Sequence, residues 1–263
     1  MNKHQQTEQL KTPEHKVTFY QDSHGHHIIL PTQTAVTLSD INSRWFDASY
    51  WQSNDRITGQ SKGRNITWFI KAPSKAAKMH WVLRHYYRGG LVSKISNDSY
   101  FFNGLKKTRA YQEVNLLQEM IALKLPVPKP IAARVIKKGL FYRADLLMEK
   151  LEGEDLVHRL KKEALADSVW ESIGKTIANF HNLGIYHADL NAHNILLDKH
   201  NKVWLIDFDR CQRRPIQSQW QKSNMNRLIR SFAKESSINN SLQFQDNDWQ
   251  LLKKGYNSVI QYN

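Results

Sequence analysis

The run His187-Ala188-Asp189-Leu190-Asn191-Ala192-His193-Asn194-Ile195-Leu196-Leu197 constrains this chain's fold more than any other part of it. It puts an aspartate and an asparagine on one short polar loop. Before the loop, a helix is expected over residues 167–183, with Asp167 or Ser168 as its N-cap and Gly184 as its stop. After it, residues 203–206 (VWLI) read as an apolar strand that runs into Asp207-Phe208-Asp209. A loop and a neighbouring strand end let Asp189, Asn194 and Asp207 point into one cleft. Phosphoryl transfer calls for such a set. A carboxylate must orient the attacking hydroxyl and accept its proton, which suits Asp189. Oxygen ligands must hold Mg²⁺ against nucleotide phosphates, which suits Asn194 and Asp207. A polar turn that uses Asp and Asn only as caps is the other reading.

The rest of the chain divides by pattern. Residues 1–22 are polar without a clear period and are expected as a loosely ordered extension. Residues 65–70 and 80–87 are rich in β-formers and read as strands, joined by a turn at Ala72-Pro73-Ser74-Lys75. Ala110, Val114, Leu117, Ile121 and Leu125 recur at helical spacing from Thr108 until Pro126 stops the run. Leu125-Pro126-Val127-Pro128-Lys129-Pro130 has to be extended, because each proline disfavours helix in the residue before it. Strands resume over 131–135 and 140–148, and beyond Gly153 the chain turns mainly helical. The expected fold class is α+β, with two lobes meeting near residues 149–153. Residues 23–150 would form an antiparallel-sheet N-lobe for nucleotide binding. Residues 151–263 would form a helical C-lobe for catalysis and acceptor binding.

Composition narrows the partners. At 263 residues, 40% hydrophobic and 11% aromatic, the chain can bury a proper core. The single cysteine, Cys211, leaves no internal disulfide framework and suits a reducing compartment. No apolar run approaches the roughly 20 residues needed to cross a bilayer, and the polar N-terminal stretch lacks the apolar core of a signal peptide. A cytoplasmic location is expected. The net charge of +14 favours polyanions: nucleic acid, nucleotide phosphates or an anionic membrane surface. No helix-turn-helix, finger or aromatic sheet motif accompanies the charge, so no specific nucleic-acid partner is expected.

The pattern H-x-D-L-x-x-x-N-I-L-L followed by I-D-F resembles the catalytic and metal loops of the protein-kinase superfamily. The resemblance implies a two-lobed protein-kinase-like fold with a shortened C-lobe, using ATP and Mg²⁺. It makes Asp189 the residue that activates the hydroxyl and gives the metal to Asn194 and Asp207. His187 would orient the loop through hydrogen bonds without acting as base. In the superfamily, a basic residue on the third strand pairs with the nucleotide phosphates and with a glutamate on the next helix. Arg84 and Glu113 stand in those places, with arginine where lysine is usual and Lys94 as the rival. Gly59 and Gly63, flanked by Lys62 and Arg64, are candidates for a phosphate-approaching loop; an ordinary hairpin turn is the other reading. Glu149, in Met148-Glu149-Lys150-Leu151, falls where the family places its adenine-binding hinge.

Three departures bear on the substrate. Ala188 replaces the arginine that clamps a phosphorylated activation loop in regulated protein kinases, so that switch loses its charge partner. Asp209 replaces the glycine after the metal-loop Phe208, and reads equally as a further metal ligand or a turn residue. No A-P-E-like segment follows. A small, constitutively active kinase of a non-protein hydroxyl fits all three. The run Trp81-Val82-Leu83-Arg84-His85-Tyr86-Tyr87-Arg88-Gly89-Gly90-Leu91 is similar to bacterial 3-deoxy-D-manno-octulosonic acid (Kdo) kinases. So are Thr108-Arg109-Ala110-Tyr111-Gln112-Glu113, the proline-rich segment and the catalytic loop. This resemblance implies ATP-dependent phosphorylation of the 4-hydroxyl of Kdo on lipid A, in lipopolysaccharide inner-core assembly at the cytoplasmic face of the inner membrane. Arg210, Arg213 and Arg214 follow the metal loop on the expected acceptor side, and Arg88 with Gly89-Gly90 is another candidate anion contact. Lys222, Arg227 and Arg230 add charge later; each arginine or lysine taken alone is equally a solvated surface charge. Trp220 reads as a core residue or an interfacial one. The competing readings are a heptose kinase of the same pathway, a kinase of proteins or another small alcohol, and a degenerate kinase-like polyanion binder. A cationic aminoglycoside acceptor sits poorly with so basic an acceptor side.

Overall fold

The computed structural model describes residues 17–32, 34, 36–62, 66–73, 79–87 and 98–261. Its first part runs β1 (Thr18–Gln21), β2 (His27–Leu30), α1 (Ala48–Ser53), β3 (Ile57–Lys62), β4 (Ile66–Lys71), β5 (His80–His85), β6 (Tyr100–Phe101), α2 (Arg109–Ala122), β7 (Pro130–Lys138) and β8 (Phe141–Glu149). The second part holds β9 (Glu154–Asp155), α3 (Leu156–Leu160), α4 (Asp167–Asn182), β10 (Ile185–Tyr186), β11 (Ile195–Leu197), β12 (Val203–Leu205), β13 (Gln212–Arg213), α5 (Ser218–Ile238) and α6 (Asp246–Asn257). The architecture is α+β and kinase-like.

One antiparallel sheet organises the first part in the order β1-β2-β7-β8-β5-β4-β3, with β6 added beside β8. Its strands are apolar on both faces, and the two-residue side-chain period sorts each strand between two cores. Ile28, Trp81, Leu83, Ala132 and Leu147 pack with Trp45, Phe46 and Trp51 on one face. Ile29, Ala133, Val135, Ala144, Leu146 and Met148 pack with Ala110 and Val114 of α2 on the other. The rings of Trp45, Trp51 and Trp81 lie 5.4–6.2 Å apart. Such aromatic pairs add about 0.5–1.5 kcal/mol each beyond their buried area, enough to hold β5 firmly in register. That register puts Arg84, between Leu83 and His85, on the face that looks at α2.

The third core packs Trp170, Ile173, Ile177 and Phe180 of α4 on Leu228, Phe232, Leu252 and Tyr256, and takes in Leu117 and Met120 of α2. Helices α4 and α6 cross at Gly174 and Gly255. A Cβ on Gly174 would sit 2.0 Å from the Leu252 carbonyl, and one on Gly255 2.1 Å from that of Glu171, so only glycine permits the approach.

Several expectations are corrected in detail. Thr18–Gln21, placed in the extension, is a strand paired with β2 in register Thr18↔Leu30; residues 1–16 lie outside the described residues. The helix expected over 108–125 covers Arg109–Ala122. Thr108 is its N-cap, accepting the Tyr111 amide, and Lys124 turns to φ +59° before Pro126. Helix α4 is capped by Ala166, with no side-chain bond, so neither Asp167 nor Ser168 serves as its cap. Ser74 and Lys75 of the expected turn lie outside the described residues.

Candidate active site

Local chain geometry assembles the catalytic loop. Helix α4 ends at Gly184, whose φ of +74° and whose contact with the Arg214 carbonyl, 2.5 Å from an ideal Cβ, exclude a side chain. The chain then forms β10, which pairs with β13 in register Ile185↔Arg213. This pairing brings the loop after β10 against the segment after β12. The Ile206 amide donates to the Asn194 carbonyl at 3.0 Å, and His187 Nε2 donates to the Ile206 carbonyl at 3.0 Å.

The His187 ring is therefore fully engaged, because its Nδ1 accepts the Asp189 amide at 3.2 Å. Burial pushes its pKa down, consistent with a neutral ring whose tautomer is fixed by these two bonds. From the other side Asn224 of α5 pins the same residue, accepting the His187 amide at 3.3 Å and donating to its carbonyl at 3.0 Å. Cys211 accepts the Ala188 amide at 3.2 Å, and burial raises its thiol pKa, so it acts as packing.

Asp189 emerges from this scaffold half-exposed. One carboxylate oxygen accepts Arg227 Nη1 at 3.1 Å, and the other accepts Asn191 Nδ2 at 3.2 Å. Asn194 is buried and donates Nδ2 to the Asp189 carbonyl at 2.9 Å, which leaves its amide oxygen available to a cation. Asp207 has φ +61°, a left-handed conformation that Asp tolerates better than most residues, and its side chain is 44% exposed. The asparagine oxygen and the Asp207 carboxylate are hard oxygen donors of the kind that hold Mg²⁺ together with phosphate and water. Among the described residues no group of three or more His, Cys, Asp or Glu could hold a metal by itself. Few protein ligands is the usual arrangement for a phosphate-bound Mg²⁺.

Arg84 reaches from β5 to both partners at once. Nη2 donates to Glu113 of α2 and Nη1 to Asp207. The Tyr86 hydroxyl also donates to Glu113, at 2.8 Å, and the Arg84 guanidinium lies 5.0 Å from the centre of the Tyr86 ring. Burial works against the charged arginine, yet Glu113 and Asp207 hold its pKa well above the ordinary value. Burial raises the pKa of Glu113, against the pull of Arg84.

Other expected residues fall elsewhere. Gly59 is not in a loop: it lies within β3 opposite Phe69, beside a register irregularity. Gly63, Arg64, Arg88 and the rival Lys94 lie outside the described residues. Glu149 ends β8, but its amide bonds the Lys129 carbonyl and that of Lys150 bonds His80. Leu151 carries the first connector amide with no backbone partner among the described residues. Arg213 pairs with Glu119 of α2 at 2.6 Å and donates to the Leu183 carbonyl at 3.0 Å, so it bridges the two parts of the fold. Arg214 stacks 3.6 Å over the Tyr186 ring, while Arg210 is exposed at φ +61°. Trp220 is a core residue that donates to the Pro215 carbonyl.

Sequence reasoning missed the carboxylate partners of two arginines. Arg109, at the start of α2, grips Asp209 with Nε and Nη2, which makes Asp209 an ion-pair partner with both carboxylate oxygens engaged. The signal was present, since Arg109 and Glu113 are four apart and share a helix face. Arg227, from α5, meets Asp189, and nothing in the sequence around it signals that contact.

An α+β kinase-like fold carrying this loop pair defines the chain as a phosphotransferase of the protein-kinase-like class. The particular family follows from comparison with known proteins. Residues 48–256 match the family described as "Lipopolysaccharide kinase (Kdo/WaaP) family", and the chain belongs to it. A relative from Photobacterium profundum, named 3-deoxy-D-manno-octulosonic acid kinase, is 45% identical over 212 residues, covering 80% of this chain and 87% of that one. Similarly named relatives from Mannheimia succiniciproducens and Haemophilus influenzae are 45% and 43% identical, over 81% of this chain and 89% and 90% of theirs.

Proposed function

We propose that this kinase transfers the γ-phosphoryl group of ATP, with Mg²⁺, to the 4-hydroxyl of a Kdo residue on lipid A during lipopolysaccharide inner-core assembly. The observation that carries the reading is the convergence of Asp189, Asn194, Asp207 and the Arg84–Glu113 pair, in a chain about 45% identical to relatives named for this acceptor. Asp189 orients the acceptor hydroxyl and takes its proton as the new O–P bond forms and the bond to the β-phosphate oxygen breaks, releasing ADP. His187 and Asn224 hold the loop so that this carboxylate is already aimed. Arg84 steadies the nucleotide phosphates. Asn194 and Asp207 would hold Mg²⁺, which when bound neutralises charge on the phosphate oxygens.

The test is transfer of labelled phosphate from ATP to lipid A bearing one Kdo, with the product mapped by NMR. Incorporation at the 4-position is expected, lost on chelation of Mg²⁺ and reduced by about 100-fold or more in Asp189→Ala. Undiminished turnover by that variant would remove Asp189 from its role. Transfer only to heptosylated acceptors would move the chain to the heptose-kinase reading.

A further inference from the structure

Resting on that reading of the acceptor, we infer that Arg227 is the specificity-determining residue that binds the acceptor sugar's carboxylate beside the attacked hydroxyl. Its ion pair with Asp189 is half-exposed on both sides, and pairs of that kind contribute little to stability. Folding therefore does not explain an arginine at this spot.

The scaffold places it with care. On α5, Asn224 bonds the His187 backbone and Ser231 Oγ accepts the Ala192 amide at 3.0 Å. Arg227 lies between those two anchors along the helix, so it is fixed to both ends of the catalytic loop. Only Nη1 is engaged, on one Asp189 oxygen, and the other donors have no protein partner among the described residues. An arginine presents five N–H groups in a planar fork suited to carboxylates, so most of the fork is available at the cleft.

The chemistry of the acceptor supplies the need. A ulosonic acid bears its carboxylate on the same ring as its hydroxyls. Bringing one of those hydroxyls to Asp189 brings a second negative charge to within one sugar ring of the first. Like charges at that range oppose binding unless a cation lies between them. Arg227 is that cation, and an uncharged sugar would not require it.

The experiment is a cycle of two enzymes and two acceptors, reading kcat/KM. The enzymes are wild type and Arg227→Gln; the acceptors are Kdo-lipid A and the same lipid with the Kdo carboxyl reduced to an alcohol. Removing either partner should cost about 100-fold, and removing both should cost no more than removing one. Arg227→Lys should fall between wild type and Arg227→Gln on the acid acceptor, and a melting curve on each variant separates unfolding from loss of binding. An equal fold-loss for Arg227→Gln on both acceptors would overturn the inference and assign the arginine to Asp189 or the phosphoryl group. Wild-type enzyme inactive on Kdo-lipid A fails at an earlier point and overturns the acceptor reading itself.

Discussion

Arg84 is placed to join the proposed nucleotide site to fold stability. It is mostly buried, and it lies between a carboxylate that is 2% exposed and another at 44%. A lysine ammonium is a single point of charge, whereas the guanidinium fork reaches Glu113 and Asp207 at the same time. Taking the arginine away leaves Glu113 buried without its cation, a loss on the order of 3–5 kcal/mol for such pairs. Arg84→Ala should therefore lower the melting temperature and reduce kcat/KM for ATP by about 100-fold, with Arg84→Lys recovering only part of either. Steady-state kinetics against ATP, together with thermal melts, read both effects. An unchanged nucleotide KM would pass the phosphate role to Lys94. The Arg84–Glu113 pairing was legible because strand alternation and helical spacing each fix a side-chain direction. The partner of Asp209 was overlooked: Arg109 lies 100 residues away and nothing in the local pattern of Asp-Phe-Asp points to it, so its place one turn before Glu113 on the same helix face was the one cue.

At the scale of elements, α2 is fastened to the segment after β12 at two places one helical turn apart. Arg109 holds Asp209 directly, while Glu113 holds Asp207 through Arg84. Arg109 also donates to the Tyr100 hydroxyl at 2.5 Å, which ties the same point to β6. A helix held twice cannot shift without breaking both grips, so the site stands assembled without a phosphorylated loop. If so, Arg109→Ala and Asp209→Ala should each slow turnover by about 10- to 100-fold, and the double variant should be little worse than either single one. A coupling of about 1–3 kcal/mol between them, read from kcat/KM and from melting, is the expected result. Fully additive losses would mean that the two residues act separately. The long elements were readable because α2, β7 and β8 carry strong patterns. The short β1–β2 pair was missed because four residues give no period, and its order comes from pairing with β7 at Ile28↔Arg134. The cap of α4 was misplaced for a related reason: Ala166 takes the extended cap conformation with no side-chain bond to advertise it.

For the molecule as a whole, the question is how a chain of net charge +14 would meet the lipid-linked acceptor proposed for it. Among the described residues no helix is long and apolar enough to cross a membrane. Helix α5 offers a candidate docking face. Lys222, Arg227, Arg230 and Lys234 are exposed on one arc, opposite the buried Asn224, Leu228 and Phe232. That arc includes the arginine beside Asp189, so the face that would meet anionic lipid is also the face that presents the catalytic carboxylate. Each basic residue near an anionic surface is worth about 1 kcal/mol, and the attraction fades as the Debye length shrinks from ~10 Å at 0.1 M salt to ~3 Å at 1 M. The protein should therefore pellet with phosphatidylglycerol-containing vesicles at low salt, release at high salt and ignore pure phosphatidylcholine. Lys222→Glu with Arg230→Glu should weaken this binding more than two charge reversals at Lys106 and Lys107, which precede α2. Equal effects would mean that the charge acts as an overall field and not through one docking face. Binding that survives 1 M salt would point instead to apolar insertion, with the exposed Phe101, Leu140 and Phe141 at the sheet's far end as the next residues to change.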